Sequence, residues 1–207
     1  MELKEMVRKN RSYRRFCQDV GIDFKTLKGF VDLARHAASA ANRQPLKYLL
    51  SNEAEQNALI FPHLAWAGYL ADWPGPKEGE RPAAYIVILG DKRVPKSVKQ
   101  TPGTLDEDIG NSVGCDHGIA AESILLGAVE QGLGGCIIAS VKRAALKRSL
   151  RLADHFEVLL VIALGKPNEI VEIEPMGKDG DFRYWRDSDG KHHVPKRSLD
   201  ELIVPFG

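Results

Sequence analysis

Apolar residues recur at helical spacing in some stretches of the chain and run without interruption in others, and this contrast divides it into elements. Residues 2–9 predict a short amphipathic helix with Leu3, Met6 and Val7 on one face. Asp23 is placed to cap a helix over 24–38, where Leu27, Phe30, Val31 and Ala34 share a stripe. Residues 46–50 predict a strand, and Asn52 with Glu55 resembles a capping box opening a further helix. Residues 84–89, an unbroken apolar run rich in β-branched side chains, predict a buried strand. The longest helical pattern covers 109–133. Val113, Ala120, Ile124 and Ala128 help make it apolar on most sides, which assigns it to the middle of the molecule. Gly132, Gly134 and Gly135 end it, and a short strand over 136–138, a helix over 142–150 and a strand over 158–164 follow. Between these elements, 39–45, 72–82 and 92–105 predict loops, the second dense in proline and glycine. From Asp181 the tail is polar and aromatic, with few core-like positions before Leu199.

Few strands at irregular spacing predict an α+β fold rather than regular βαβ winding. The 207 residues suit one domain. Twenty-nine Lys and Arg against 28 Asp and Glu leave a formal charge of +1, so no global field favours nucleic acid or an acidic membrane. Any anion site must be a local cluster. Cys17, Cys115 and Cys136 are odd in number and form no C-x-x-C pair, which points to a reducing compartment. A charged N-terminus and the absence of a run near the roughly 20 apolar residues of a membrane span lead to an expected cytoplasmic location.

Four short stretches could carry chemistry. In Arg11-Ser12-Tyr13-Arg14-Arg15, guanidinium forks and a hydroxyl match phosphate oxygens, although a solvated basic patch has the same composition. In the loop 39–45, Asn42 and Gln44 offer amide edges suited to a heterocycle with alternating C=O and N–H groups, or they simply build a turn before Pro45. The glycines at 132–135 follow a helix and precede a strand, the reverse of a dinucleotide-binding loop, so they predict a helix cap and close backbone approach. Lys196 and Arg197 are either the second half of an anion site or surface charges. Adjacent His192 and His193 face opposite ways on a strand, so no metal site is expected, and Cys136 reads as a core thiol.

Taken in order, these pieces resemble the nitroreductase family over nearly the whole chain. Its R-R-S-x-R-x-F motif stands here as Asn10-Arg11-Ser12-Tyr13-Arg14-Arg15-Phe16, and its N-x-Q-P as Asn42-Arg43-Gln44-Pro45. Its G-L-G-x-C stands as Gly132-Leu133-Gly134-Gly135-Cys136, and its L-G-x-P as Leu164-Gly165-Lys166-Pro167. The tail from Tyr184 to Arg197 is similar to that of a clostridial-type branch. The resemblance implies a mostly antiparallel central sheet flanked by helices, in an intertwined homodimer with FMN at the subunit interface. Residues 1–180 would form the FMN-binding domain, and 181–207 an arm wrapping the partner subunit. Arg11 and Ser12 would bind the phosphate, joined by Lys196 and Arg197, and Arg14 would approach the flavin N1/O2 edge or the ribityl chain. Asn42 and Gln44 would lie beside the pyrimidine ring, and the backbone of Ile138, Ala139 and Ser140 would face the flavin near N5. The implied activity is hydride transfer from NADH or NADPH through flavin N5 to a small acceptor, such as a nitroaromatic or a quinone. Arg14 would serve as electrostatic stabiliser, and no side chain would act as nucleophile. Within the same fold a dehalogenase, a flavin-fragmenting enzyme or a heterocycle dehydrogenase is an alternative, and outside catalysis an FMN-binding protein. Three positions depart from the pattern: Asn10 replaces an arginine, and Leu46 and Ile137 stand where tryptophan is common.

Overall fold

The computed structural model describes residues 1–70, 72–94 and 113–206. Most of the expected loop over 92–105 lies outside the described residues, as do 109–112 of the expected long helix. In chain order the elements are α1 (Leu3–Lys9), β1 (Phe16–Cys17), α2 (Phe24–Arg35), β2 (Leu46–Ser51), α3 (Ala54–Ile60) and β3 (Ala84–Asp91). There follow α4 (Val113–Glu130), β4 (Gly134–Ile138), α5 (Arg143–Ser149), β5 (Phe156–Pro167), β6 (Val171–Pro175), β7 (Trp185–Arg186), β8 (His192–Lys196) and α6 (Leu199–Leu202).

The central sheet is built on β5. Its long strand pairs with β3 along one edge and with β4 and β1 along the other, and β2 pairs with β3; every one of these pairings is antiparallel. All of β3 is buried, as its unbroken apolar run requires. One face of the sheet packs on α2 and α4 through Leu27, Phe30, Ile124, Ala128, Ile86 and Ile162. The other face gathers Ile60, Tyr85, Val87, Leu146 and Val161 under α3 and α5. The α+β expectation therefore holds, with α4 central as its apolar surface demanded. Among the described residues no helix is long and apolar enough to cross a membrane.

Local rules account for most element ends. Asp23 accepts a hydrogen bond from Thr26 N at 2.7 Å and caps α2. Gly132, at φ 73°, closes α4 in a conformation glycine adopts without strain. Two expectations are corrected. Asn52 and Glu55 form no capping box: Glu53 is the N-cap of α3, and Asn52 instead donates to Ile22 O at 3.1 Å. The tail holds a second, three-stranded sheet that its polar sequence concealed, in which β8 pairs in parallel with β6 and antiparallel with β7. These strands carry no apolar stripe: β6 is half-buried or exposed throughout, and the one buried position of β8 is His192, so polar contacts rather than an apolar core support them. Within the chain β8 thus pairs with β6, and β7 with β8, while the apolar residues from Leu199 onward are left at the surface.

Candidate functional site

The basic segment 10–15 lies against β4. Ser12 forms a bridge with Gly135, and Tyr13 N donates to Gly135 O at 3.0 Å. The approach requires glycine: a Cβ on Gly134 would stand 2.5 Å from the Tyr13 ring. The glycine-rich end of α4 therefore seats the segment that carries Arg11, Ser12 and Arg14. Glu169, from the turn after β5, fixes it from the far side. Its Oε1 accepts from the backbone N–H of Arg14 and, at 3.1 Å, from that of Arg15, while its Oε2 pairs with Arg186 at 2.8 Å.

Two adjoining cavities open beside this segment. The first, of about 200 Å³, is lined by Arg11, Ser12, Arg14 and Lys196, with Glu122 as the one carboxylate among its lining residues. Asn10 is buried there and donates from Nδ2 to Glu122 Oε1 at 3.0 Å, so the residue standing in place of the motif's first arginine holds that acid. Cations outnumber the carboxylate, which is the local cluster that a near-neutral chain needs in order to hold an anion. The second cavity, also about 200 Å³, is lined by the backbone-rich stretch of Ile137, Ile138, Ala139 and Ser140, and by Trp66, Ala67 and Gly68. Arg14, Ile137 and Tyr184 border both, so the two form one cleft with a basic end and an aromatic end.

Arg14 sits at the junction and is buried. Its guanidinium lies 4.6 Å above the Tyr184 ring, and NH1 donates to Ser12 O at 3.2 Å. NH1 also stands 3.1 Å from His192 Nε2. Burial, followed by the charges of Arg14, Arg186 and His193, pushes the His192 imidazole down to about pKa 4, so it is neutral at pH 7. His193, its neighbour, turns away. It lies between Asp187 and Glu174 at 3.1 and 3.2 Å, stacks on Trp185, and is held above its usual pKa by those carboxylates. Cys136 is buried, and burial raises its thiol pKa, in keeping with a core thiol.

The remaining candidates separate. Lys196 lines the basic end in its own chain, whereas Arg197, one residue on, pairs with Glu201 at 3.5 Å and does not line the cleft. Asn42 and Gln44 lie elsewhere on the protomer. Ala41, Asn42 and Gln44 all take positive φ, between 50° and 52°. Such backbone persists only where its surroundings fix it. Asp116 of α4, which the sequence reading passed over, does this: it accepts from Ser39 Oγ at 2.7 Å and Ala40 N at 3.2 Å, and Ser39 Oγ accepts from Gln44 N at 3.0 Å. Gln44 Nε2 then donates to Asn42 Oδ1 at 3.0 Å. This loop borders a separate cavity of about 170 Å³, lined by Ser39, Gln44, Pro45, Tyr48 and Asp116. Leu46 lines that cavity and Ile137 lines the cleft, so both departures from the tryptophan pattern fall in cavity walls. Tyr184 beneath Arg14, Glu169 and the burial of His192 were not legible in the sequence. The only hint of Asp116 was an acid inside a largely apolar helix.

A model of the Nitroreductase family matches residues 7–166, and the chain belongs to that family. Similar solved structures include a nitroreductase family protein from Streptococcus pneumoniae (TM-score 0.69, 19% identity, 99% of this chain and 100% of that one). An FMN-dependent nitroreductase from Clostridium difficile aligns at TM-score 0.62 and 19% identity, over 99% of this chain and 98% of the other. The NADPH:FMN oxidoreductase from Vibrio harveyi, solved with NAD+, aligns at TM-score 0.61 and 22% identity, over 85% of this chain and 74% of the other.

Proposed function

We propose that the chain is an FMN-dependent oxidoreductase that takes a hydride from NADH or NADPH and passes it to a small acceptor, a nitroaromatic, a quinone or a similar electrophile. The observation that carries this reading is the junction of a cationic end and an aromatic, backbone-lined end in one cleft, with Arg14 between them. The donor set fits FMN. Arg11 Nε and Trp66 Nε1 are buried polar atoms that lack a partner among the described residues, and they line opposite ends of the cleft. Buried donors of that kind suit a ligand that supplies acceptors.

Arg11, Ser12 and Lys196 would hold the phosphate by charge-assisted hydrogen bonds. Both side-chain hydrogen bonds described for Arg14 leave NH1, so Nε and NH2 are the atoms available for the flavin's pyrimidine edge. A cation placed there favours added negative charge at that edge in a site shielded from water. The backbone of Ile138, Ala139 and Ser140 would border the ring, and Trp66 and Tyr184 would shape the space for nicotinamide and acceptor. When bound, FMN supplies the hydride relay itself, and the protein supplies binding, orientation and charge.

Asn42 and Gln44 complete this site only if they come from a second copy, because in one chain Gln44 borders a different cavity and Asn42 is hydrogen-bonded to Gln44. A homodimer with sites at its interface, as the family resemblance implies, reconciles the two placements. Steady-state assays with NADH and with NADPH against a panel of nitroaromatics, quinones and halogenated aromatics test the reading. Nicotinamide-dependent turnover of at least one acceptor is expected. FMN-loaded protein that neither nucleotide reduces would instead be a flavin-binding module without this activity.

A further inference from the structure

His192 of β8 lines the basic end of the cleft beside Arg14, yet it is almost wholly buried. A guanidinium can only donate. At 3.1 Å from Arg14 NH1, Nε2 must therefore be the ring's lone-pair nitrogen, which places the proton on Nδ1. Nδ1 is itself buried without a partner among the described residues. A residue present for packing alone would not leave a buried donor unmatched, since an apolar side chain fills the same volume without that cost. The ring also lies 5.1 Å from Tyr184, the aromatic floor on which Arg14 rests.

We infer that His192 is a positioning residue: resting on the flavin reading above, it accepts from Arg14 NH1 and thereby turns the remaining guanidinium edge toward the pyrimidine end of the cofactor. The groups facing the imidazole are Arg14 from the basic segment, Arg186 from β7, His193 on its own strand and Tyr184. Lys196 and Glu122 line the same cavity. Burial first, and then the neighbouring cations, disfavour protonation of the ring, so it remains an acceptor across neutral pH. In this arrangement the C-terminal sheet sets the direction of a charge that acts on the cofactor, and Glu169 holds the two parts together through Arg14, Arg15 and Arg186.

Two measurements test the inference. The first needs no variant: in 15N NMR of the intact protein at pH 7, His192 is expected as the neutral tautomer protonated at Nδ1. Protonation at Nε2, or an imidazolium, overturns the role. The second compares wild-type, His192→Gln and His192→Phe proteins loaded with FMN. At one fixed reference potential, the reduced-to-oxidised flavin ratio in His192→Phe should fall about tenfold, which is about 30 mV for a two-electron couple. His192→Gln retains an acceptor oxygen and should stay close to wild type. Bound FMN with an unchanged ratio in His192→Phe overturns the positioning role alone. Failure of the wild-type protein to take up FMN overturns the flavin reading, and this role with it.

Discussion

Arg14 is the residue on which the account turns, and its surroundings show why a composition-level reading left it ambiguous. A basic run between two helices has the same sequence whether it is solvated or folded into a cleft. What separates the cases is the contact of Gly134 with Tyr13 and the two backbone hydrogen bonds to Glu169, all of them long-range. Arg14→Ala should make bound FMN harder to reduce by about 1–2 kcal/mol, the scale of one charge-assisted hydrogen bond. A potentiometric titration of the FMN-loaded variant checks this, and an unchanged midpoint assigns the role elsewhere. Gly75 offers an independent check on the aromatic wall. It has φ +115°, and a Cβ there would stand 2.8 Å from Trp66 Cδ1. Gly75→Ala should cost about 1–3 kcal/mol in denaturant unfolding and alter Trp66 emission, since strain and a clash fall on the same residue. Neither Tyr184 nor Asp116 could be assigned from sequence, because the roles of both depend on partners far along the chain.

Among the elements, those with an apolar period were legible and those without one were not. Strand β3 announced itself as an uninterrupted apolar run, and α2 as a stripe with its cap. The sheet of β6, β7 and β8 carried no such period, because side-chain ion pairs and stacking support it: His193 between Asp187 and Glu174, Trp185 on His193, Lys191 with Glu172 at 3.0 Å. This gives the sheet a particular pH response. In the unfolded chain both histidines titrate near about pH 6.5. The folded pKa of His193 is raised, so its contribution is fully present below that pH and is lost as pH rises through the folded value. The folded pKa of His192 is lowered to about 4, so between about pH 6.5 and that value the unfolded chain takes up a proton that the folded one refuses. Stability then falls as the pH drops, with a slope approaching about 1.4 kcal/mol per pH unit. Hydrogen exchange of β8 amides across a pH series should therefore show greatest protection near pH 6.5, declining on both sides. Protection rising steadily with pH would contradict the assignment of a charged His193.

At the scale of the molecule, one chain keeps the cleft beside Arg14 and the cavity beside Gln44 apart and leaves an apolar tail uncovered. Val204 is 87% exposed and Phe206 fully so, and Leu199, Leu202 and Ile203 accompany them, while Leu3 and Val7 of α1 are likewise uncovered. Each such side chain contributes roughly 1.5–3 kcal/mol when buried, so together they favour association with a second copy. The expected partner-wrapping arm begins at Asp181; β7 and β8 within it join a sheet with β6 of the same chain, and its exposed part is the residues after β8. Deleting residues 198–207 should leave the small sheet intact, shift the protein toward monomer in analytical ultracentrifugation, and weaken FMN retention at the same time. A truncated protein that stays dimeric with its flavin would assign the interface to other surfaces. The central claim, that this cleft holds FMN and passes on nicotinamide-derived electrons, is tested most directly by anaerobic stopped-flow mixing of the FMN-loaded protein with NADH or NADPH. The account predicts loss of the oxidised flavin absorbance, followed by its return when a nitroaromatic or quinone is added. A well-folded protein that takes up no FMN, or whose bound FMN stays oxidised with both nucleotides, would contradict it.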